Sequence, residues 1–504
     1  MQLFVTPTKE TKETKETKER GPISMTGMTL NKEVLSGVEE LMNKPVLEGK
    51  CPGLYATIFN GDEVLLEKGV GQFTIGKGEP SSNTSFRIAS CTKSFTITAL
   101  LILRDRGALD LNQPITDFVE EYRFSEISTF KEIPTVGQLA AMSSGLPSDD
   151  PWADRQESIS GKKLREIVSR GVHTTNRPGA IYQYSNLGFA LLGQVIEKAS
   201  GVDYREFVTT EILKPLGMND SGFDNELFPK ESLAIGYRKS GETWLELPFS
   251  ASGAFSCIGG LFSSARDLRT WSRWMHSALT ANPKGGPLST ASRHSMQQIV
   301  TSAPFNTHLA TLPANAHRAA GYGLGLFIEF DPKYGQFVSH SGGYPGFSSH
   351  MRWHVPTGLS VVVLENATYS GAWATATGIL DYALEKAGFE LPLEDKWPQT
   401  YELAKQADSL VRQWSASLAN EIFEENVEMD VPFAERESNI KKLIDEVGGL
   451  TASESLNEAK SASDSPLHFL WDIPGKSGSL RCEIRLNPIT PIRIQTLNVK
   501  KAEK

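Results

Sequence analysis

The sequence predicts an α/β (α+β) fold: an antiparallel sheet flanked by helices, with a helical subdomain, plus a small C-terminal α+β domain. Three observations lead there. Two strand-like runs meet at Asn60-Gly61 near the start, three more lie between residues 327 and 366, and helical patterns fill the segment between them. Strands at both ends of such a segment close one sheet around a helical insert.

The elements follow in order. Residues 1–28 carry a Thr-Lys-Glu repeat with alternating charge. So polar a run cannot bury enough apolar surface to offset the entropy of ordering, and a disordered tail is expected. Leu30, Val34, Val38, Leu41 and Met42 recur at helical spacing. Pro52–Phe59 and Glu63–Gly71 read as two strands of a hairpin turning at Asn60-Gly61-Asp62. Ser94 to Gly107 is apolar, ends on Arg104 and Arg106, and stops at a glycine, the pattern of a buried helix with its C-cap. Residues 110–320 alternate helical patterns with Pro/Gly turns. Gly335–His340, Ser349–Val355 and Leu359–Glu365 then read as strands, the last two separated by a turn at Pro356-Thr-Gly358.

The pattern changes near Leu393–Pro398. Tyr401–Phe423 reads as one amphipathic helix, residues 451–465 are rich in Ser, Glu and Lys, and three strand-like runs close the chain: Leu467–Ile473, Leu480–Leu486 and Ile492–Val499. The expected division is a tail over 1–28, a main domain over 29–399 and an accessory α+β domain over 400–504. Two roles stand open for the last: narrowing access to a cleft, or association into a homo-oligomer.

Composition excludes several function classes. The 504 residues are 39 % hydrophobic and 22 % charged, as in ordinary globular proteins. A formal charge of −9 gives no reason to expect nucleic acid as a partner. Cys51, Cys91, Cys257 and Cys482 are far apart and form no C-x-x-C pair, which argues for reduced thiols rather than a disulfide framework or a zinc finger. His350 and His354 are four apart, but on a strand-like run, so a helical metal site is not expected there. No metal or cofactor motif is found. No run approaches the about 18 apolar residues of a membrane span, and the N-terminal repeat replaces the apolar region of a signal peptide. A cytoplasmic protein is expected, with Met25 and Met28 as alternative starts to Met1.

Three short motifs carry chemistry. Ser90-Cys-Thr-Lys93 sits where a loop enters the buried helix. Residues three apart share a helical face, so hydroxyl and ammonium group meet. A serine hydroxyl needs a base to become a nucleophile, and a lysine serves once burial or a neighbouring cation lowers its pKa. The helix N-terminus adds backbone N–H groups for a developing oxyanion. Taken alone, the motif equally describes a surface capping serine. Tyr184-Ser-Asn186 lies in a loop leading into a second buried helix. A phenol near a lysine loses its proton more readily and can shuttle it, and the Asn186 amide can hold both Lys93 and a substrate carbonyl. A core tyrosine and a capping asparagine would look the same. His340-Ser-Gly-Gly343 closes a strand, where two glycines let backbone N–H groups approach a ligand. The alternative is a β-turn with an incidental histidine.

Together the three motifs resemble one family. S-x-x-K, then Y-x-N, then H/K-x-G on a late strand is similar to the signature of the serine β-lactamase and penicillin-binding-protein superfamily, in its class C β-lactamase, D-alanyl-D-alanine carboxypeptidase and esterase branch. Phe86-Arg-Ile-Ala-Ser-Cys-Thr-Lys93, Met142-Ser-Ser-Gly-Leu146, Leu213-Lys-Pro-Leu-Gly-Met218, Gly259-Gly-Leu-Phe-Ser-Ser264, Gly321-Tyr-Gly-Leu-Gly325 and His340-Ser-Gly-Gly-Tyr-Pro-Gly-Phe347 extend the resemblance over residues 30–390. It implies a β-lactamase/transpeptidase-like fold and an acyl-enzyme hydrolase of small-molecule esters, amides or peptides. By resemblance Ser90 is the nucleophile, and Lys93 and Tyr184 are its proton relay. Asn186, His340, Ser341, Gly342 and Gly343 bind substrate, and the N–H groups of Ser90 and Gly343 form the oxyanion hole. His340 stands where many members have lysine and carries no permanent charge. An esterase or D-amino-acid peptidase is therefore expected, with neutral esters and amides preferred over penicillins and D-Ala-D-Ala peptides. The alternatives are a β-lactamase or carboxypeptidase, or a non-catalytic sensor or scaffold. No G-x-S-x-G elbow is present, which disfavours an α/β-hydrolase.

Overall fold

The computed structural model describes residues 30–303, 318–391, 395–451, 456, 463 and 465–502. The expected tail over 1–28 and most of the Ser/Glu/Lys-rich stretch lie outside them. The chain divides into two compact units, Met1–Glu390 and Leu391–Lys504.

In the first unit the early strands are β1 (Gly53–Asn60), β2 (Glu63–Gly71) and β3 (Ser85–Arg87). The insert adds β4 (Tyr237–Ser240), β5 (Thr243–Glu246) and β6 (Phe262–Ser264). Then come β7 (Thr301–Ser302), β8 (Ala319–Tyr322), β9 (Phe327–Asp331), β10 (Gly335–Tyr344), β11 (Phe347–His354) and β12 (Leu359–Glu365). Eight of these form one sheet in the order β2-β1-β12-β11-β10-β9-β8-β7. Every neighbouring pair is antiparallel, and β1 zips against β12 with Leu54 opposite Glu365. The early hairpin and the late strands thus close one sheet, as the sequence pattern predicts. Its turn uses Gly61 at φ 56°, a conformation that glycine adopts without steric cost.

The central strands are covered on both faces, which is why β11 and β12 are buried along their whole length. On one face, Val361, Val363 and Phe337 pack with Val38 and Met42 of the helix Lys32–Leu47 and Ile379 and Leu380 of the helix Ala372–Lys386. On the other, Met351, Trp353 and Val362 join a larger core with Phe95 and Trp271, whose rings stack at 3.8 Å. Phe95 belongs to the helix Thr92–Asp105, the predicted buried helix, which begins two residues earlier than its apolar run.

The second unit has a three-stranded antiparallel sheet, β13 (His468–Gly475), β14 (Gly478–Leu486) and β15 (Ile494–Lys501). Its inner face packs on Ala404, Ala407 and Leu410 of the helix Pro398–Arg412. The single helix expected over Tyr401–Phe423 is two. Gln413 is extended, and Ser415 caps a new helix, Ala416–Ile422, by accepting from the Leu418 N–H. A serine that satisfies an orphan N–H makes such a restart favourable inside an otherwise apolar-periodic run. No helix among the described residues is long and apolar enough to cross a membrane.

Candidate active site

Ser90 sits in a single 3-10 turn, Ala89–Cys91, immediately before the helix Thr92–Asp105. Ala89 has φ 48°, a left-handed conformation that costs a residue with a Cβ about 1–3 kcal/mol. Its neighbours fix it. The Ile88 N–H donates to the Leu261 carbonyl (2.9 Å), and the Ile88 carbonyl accepts from Ser349 Oγ (2.6 Å). Strand β10 passes so close that a Cβ at Gly342 would overlap that carbonyl and Ser349 Oγ, so only glycine fits. These contacts lay the His340–Gly343 stretch beside Ser90.

Lys93 stands on the first helical turn, fully buried. Its Nζ donates to Ser90 Oγ at 2.9 Å and to the Ile258 carbonyl at 2.9 Å, and lies 4.9 Å from the centre of the Tyr184 ring. Burial pushes the ammonium group down to about 8, against the opposing pull of Asp150, Asp154 and Asp149. Asp149 accepts the N–H groups of Asn186 (2.7 Å) and Leu187 (2.8 Å) at the start of the helix Asn186–Ser200. Burial still lifts the carboxyls of Asp149 and Asp154 to about 6.

Two expectations change here. The Ser90 hydroxyl close to the Tyr184 phenol favours its ionised form, yet burial, followed by the charge of Asp150, drives its pKa well above 10 rather than down. Enclosure dominates, so Tyr184 is a neutral donor and acceptor. Asn186 is the first residue of its helix, with Ser185 as the cap, and its amide donates to Asp150 instead of Lys93. Asp150 lines the cavity beside Ser90, and Asn186 stands behind it with its Oδ1 buried and without a hydrogen-bond partner among the described residues.

His340 is buried on β10 opposite Met351. Its Nδ1 lies 2.7 Å from the Ser341 carbonyl and its Nε2 lies 3.2 Å from the Tyr322 hydroxyl. A carbonyl only accepts, so those partners assign the proton to Nδ1 and leave Nε2 to accept from Tyr322. Ser341 Oγ meets His350 Nδ1 at 2.8 Å. Strand β9 pairs with β10 only as far as Ser339, so Ser341 to Tyr344 have β11 as their one ladder partner among the described residues. This leaves a backbone edge next to Ser90.

A cavity of about 110 Å³ opens between these elements. Ser90, Asp150, Tyr184, His340, Ser341 and Gly343 line it together with Phe327, Trp373, Thr377 and the buried pair Arg352–Glu329. The structure therefore gathers Ser90, Lys93, Tyr184, His340, Ser341, Gly342 and Gly343, and bonds Asn186 to the lining Asp150. Sequence reasoning missed the three aspartates, although Asp149-Asp150-Pro-Trp-Ala-Asp154 was a legible run of carboxylates in a loop. It also missed Arg352 and Glu329, single residues on separate strands with no local signal. Among the described residues no group of three His, Cys, Asp or Glu side chains could hold a metal ion. The arrangement offers a hydroxyl, a buried amine within hydrogen-bond reach of it, a neutral phenol and a backbone edge that β9 does not pair, the parts of an acyl transfer.

Comparison with known proteins agrees in fold. The family model described as Beta-lactamase matches residues 36–384. Protein flp of Staphylococcus aureus (strain NCTC 8325 / PS 47) is 27 % identical over 338 residues, 65 % of this chain and 62 % of flp, so the chain spans less than two thirds of that relative's length. The octameric penicillin-binding protein homologue from Pyrococcus abyssi superposes with a TM-score of 0.61 at 21 % identity, covering 92 % of this chain and 99 % of the other. A D-stereospecific amidohydrolase from Streptomyces sp. gives 0.54 at 24 % identity, covering 68 % and 97 %. The fold is the β-lactamase/transpeptidase fold, an antiparallel sheet flanked by helices.

Proposed function

We propose that this chain, which belongs to the beta-lactamase family, is a serine hydrolase that works through an acyl-enzyme on an ester or amide, of the esterase or D-amino-acid amidase type. One observation carries the reading: Lys93 Nζ lies 2.9 Å from Ser90 Oγ, and burial has moved its pKa to about 8. Roughly a tenth of such lysines are neutral at pH 7, enough to serve as base. Lys93 takes the Ser90 proton as Oγ attacks the substrate carbonyl. The N–H groups of Ser90 and Gly343 hold the oxyanion. Tyr184, neutral and beside both Ser90 and Lys93, takes the proton on from Lys93 and gives its own to the leaving group. Water then attacks the acyl-enzyme with the same groups in reverse order.

His340 supports a preference for neutral substrates over penicillins and D-Ala-D-Ala peptides. Both its ring nitrogens face protein partners, the Ser341 carbonyl and the Tyr322 hydroxyl, and neither presents a fixed charge as a lysine would. Residues 29–399 would carry this chemistry and 400–504 an accessory role. The likeness to an octameric homologue over 92 % of the chain supports association as that role.

The test is a fluorophosphonate label mapped by mass spectrometry, with 4-nitrophenyl butyrate as substrate. The adduct is expected on Ser90, and product should appear as a burst followed by a steady rate that Ser90→Ala abolishes. An adduct on another serine sinks the assignment. A burst with no steady rate makes the chain an acylated sensor.

A further inference from the structure

Tyr369 lies in the loop between β12 and the helix Ala372–Lys386, and nothing in the proposed chemistry uses it. Its backbone is at φ 49°, a left-handed conformation that bulky side chains rarely adopt. The loop is held there from several sides. Asn366 Oδ1 accepts from the Gly53 N–H (2.8 Å), and its amide donates to the carbonyls of Gln72 and Phe73 (both 3.0 Å). The Thr368 N–H donates to the Tyr237 carbonyl (2.9 Å), while Thr368 Oγ1 accepts from the Gly346 N–H (2.8 Å). Ser370 Oγ donates to the buried carboxyl of Glu365. A backbone outlier persists only when its surroundings over-determine it, and such outliers gather at working sites.

The side chain so held lies beside the cleft, against one of its lining residues. Its ring lies directly against Gly343, where even a methyl group would overlap Cδ1 and Cε1. Its hydroxyl donates to Asp154 in the helical insert, beside the carboxylates that surround Lys93. One side chain thus ties strand β10 at the cleft to the insert, and the residue is 54 % exposed, so a substituent that runs past Gly343 can reach it.

We infer that Tyr369 is a specificity-determining residue, a wall that limits the acyl group to short, unbranched chains. This rests on the acyl-enzyme reading above. The leaving group must face Tyr184, its proton donor, so the acyl chain is the substituent left to run past Gly343 and meet the ring. An aromatic ring clamped by backbone on one side and a carboxylate on the other cannot swing away cheaply.

The experiment compares kcat/KM for 4-nitrophenyl acetate, butyrate and octanoate in the full chain. Wild type should favour the short esters. Tyr369→Ala should raise the octanoate-to-acetate ratio about tenfold while acetate turnover persists. Tyr369→Gly, which accepts a positive φ without strain, should do the same and so separates loss of the wall from relief of strain. Tyr369→Phe, which keeps the ring, should hold the ratio within about threefold of wild type. An unchanged ratio in both truncated variants overturns the inference, and so does a Phe variant as permissive as Ala. A wild type that shows no adduct on Ser90 defeats the acyl-enzyme reading instead, and the two failures are read from different assays.

Discussion

Arg87 and Lys93 flank Ser90 in sequence, both fully buried cations, and the fold treats them in opposite ways. Arg87 is clamped. Its guanidinium donates to Glu157 and to the Ser250 carbonyl (3.3 Å) and is sandwiched between the rings of Phe262 (4.7 Å) and Tyr344 (4.8 Å). The same oxygen of Glu157, Oε2, also accepts from the Tyr344 hydroxyl. Lys93 has a hydroxyl and a carbonyl as direct partners and no ion pair among the described residues. Its carboxylates act from farther off. A guanidinium keeps its proton under any physiological condition, whereas a buried lysine without a paired anion yields its proton far more readily. The difference teaches that, around Ser90, the cation with a paired carboxylate keeps its charge and the one without is the one able to lose it. Arg352, buried and bonded to Glu329 deeper in the same cavity, follows the arginine pattern.

The largest effect should come from breaking the lysine side of this comparison. Lys93→Ala is expected to lower kcat on a short ester by about 10²–10⁴ with the fold intact by circular dichroism. Lys93→Arg should be as inactive, because a guanidinium cannot accept the Ser90 proton. Tyr184→Phe belongs in the same range. Near-full activity in that variant would show that the proton runs through Lys93 or water alone.

On the arginine side the damage should appear in stability. Glu157→Ala leaves a buried guanidinium without its anion and is expected to cost about 3–5 kcal/mol in urea unfolding. Lys93→Ala should cost clearly less. If the two variants are equally destabilised, the division into a structural and a working cation fails.

The smallest effect sharpens the comparison by titration. Lys93 must be neutral to act and its pKa lies near 8, so kcat/KM should be low at pH 6 and rise through about pH 8. The carboxyls of Asp149 and Asp154, near 6, have already ionised below that limb. Asp150→Asn removes a negative charge that holds the proton on Lys93, so the limb should move to lower pH. A limb that stays in place would mean that Asp150 does not set the base.

Much of this molecule could be read without coordinates. The Asn60-Gly61 hairpin, the strands at 335–365 and the helix after Ser90 follow from alternation, turn residues and capping, all of which act over a few neighbours. The Ser90–Lys93 contact was legible for the same reason, since one helical turn joins them. The break at Gln413–Ser415 was readable in principle from the capping serine, but the apolar periodicity running across it masked the restart.

What the sequence by itself determined is thus the local chemistry: which residue types stand one turn apart, and where a strand or helix starts. The tertiary structure decided what each of them can do. It enclosed Tyr184 so that its phenol keeps its proton, drew Asn186 onto Asp150, and set the proton on Nδ1 of His340 through Ser341 and Tyr322. It also paired Arg352 with Glu329 and laid Tyr369 on Gly343. The physical reason is range. Helix and turn preferences are settled by adjacent residues, whereas desolvation and electrostatic fields sum over every group within several ångströms. Those groups come from distant parts of the chain and meet only when it folds.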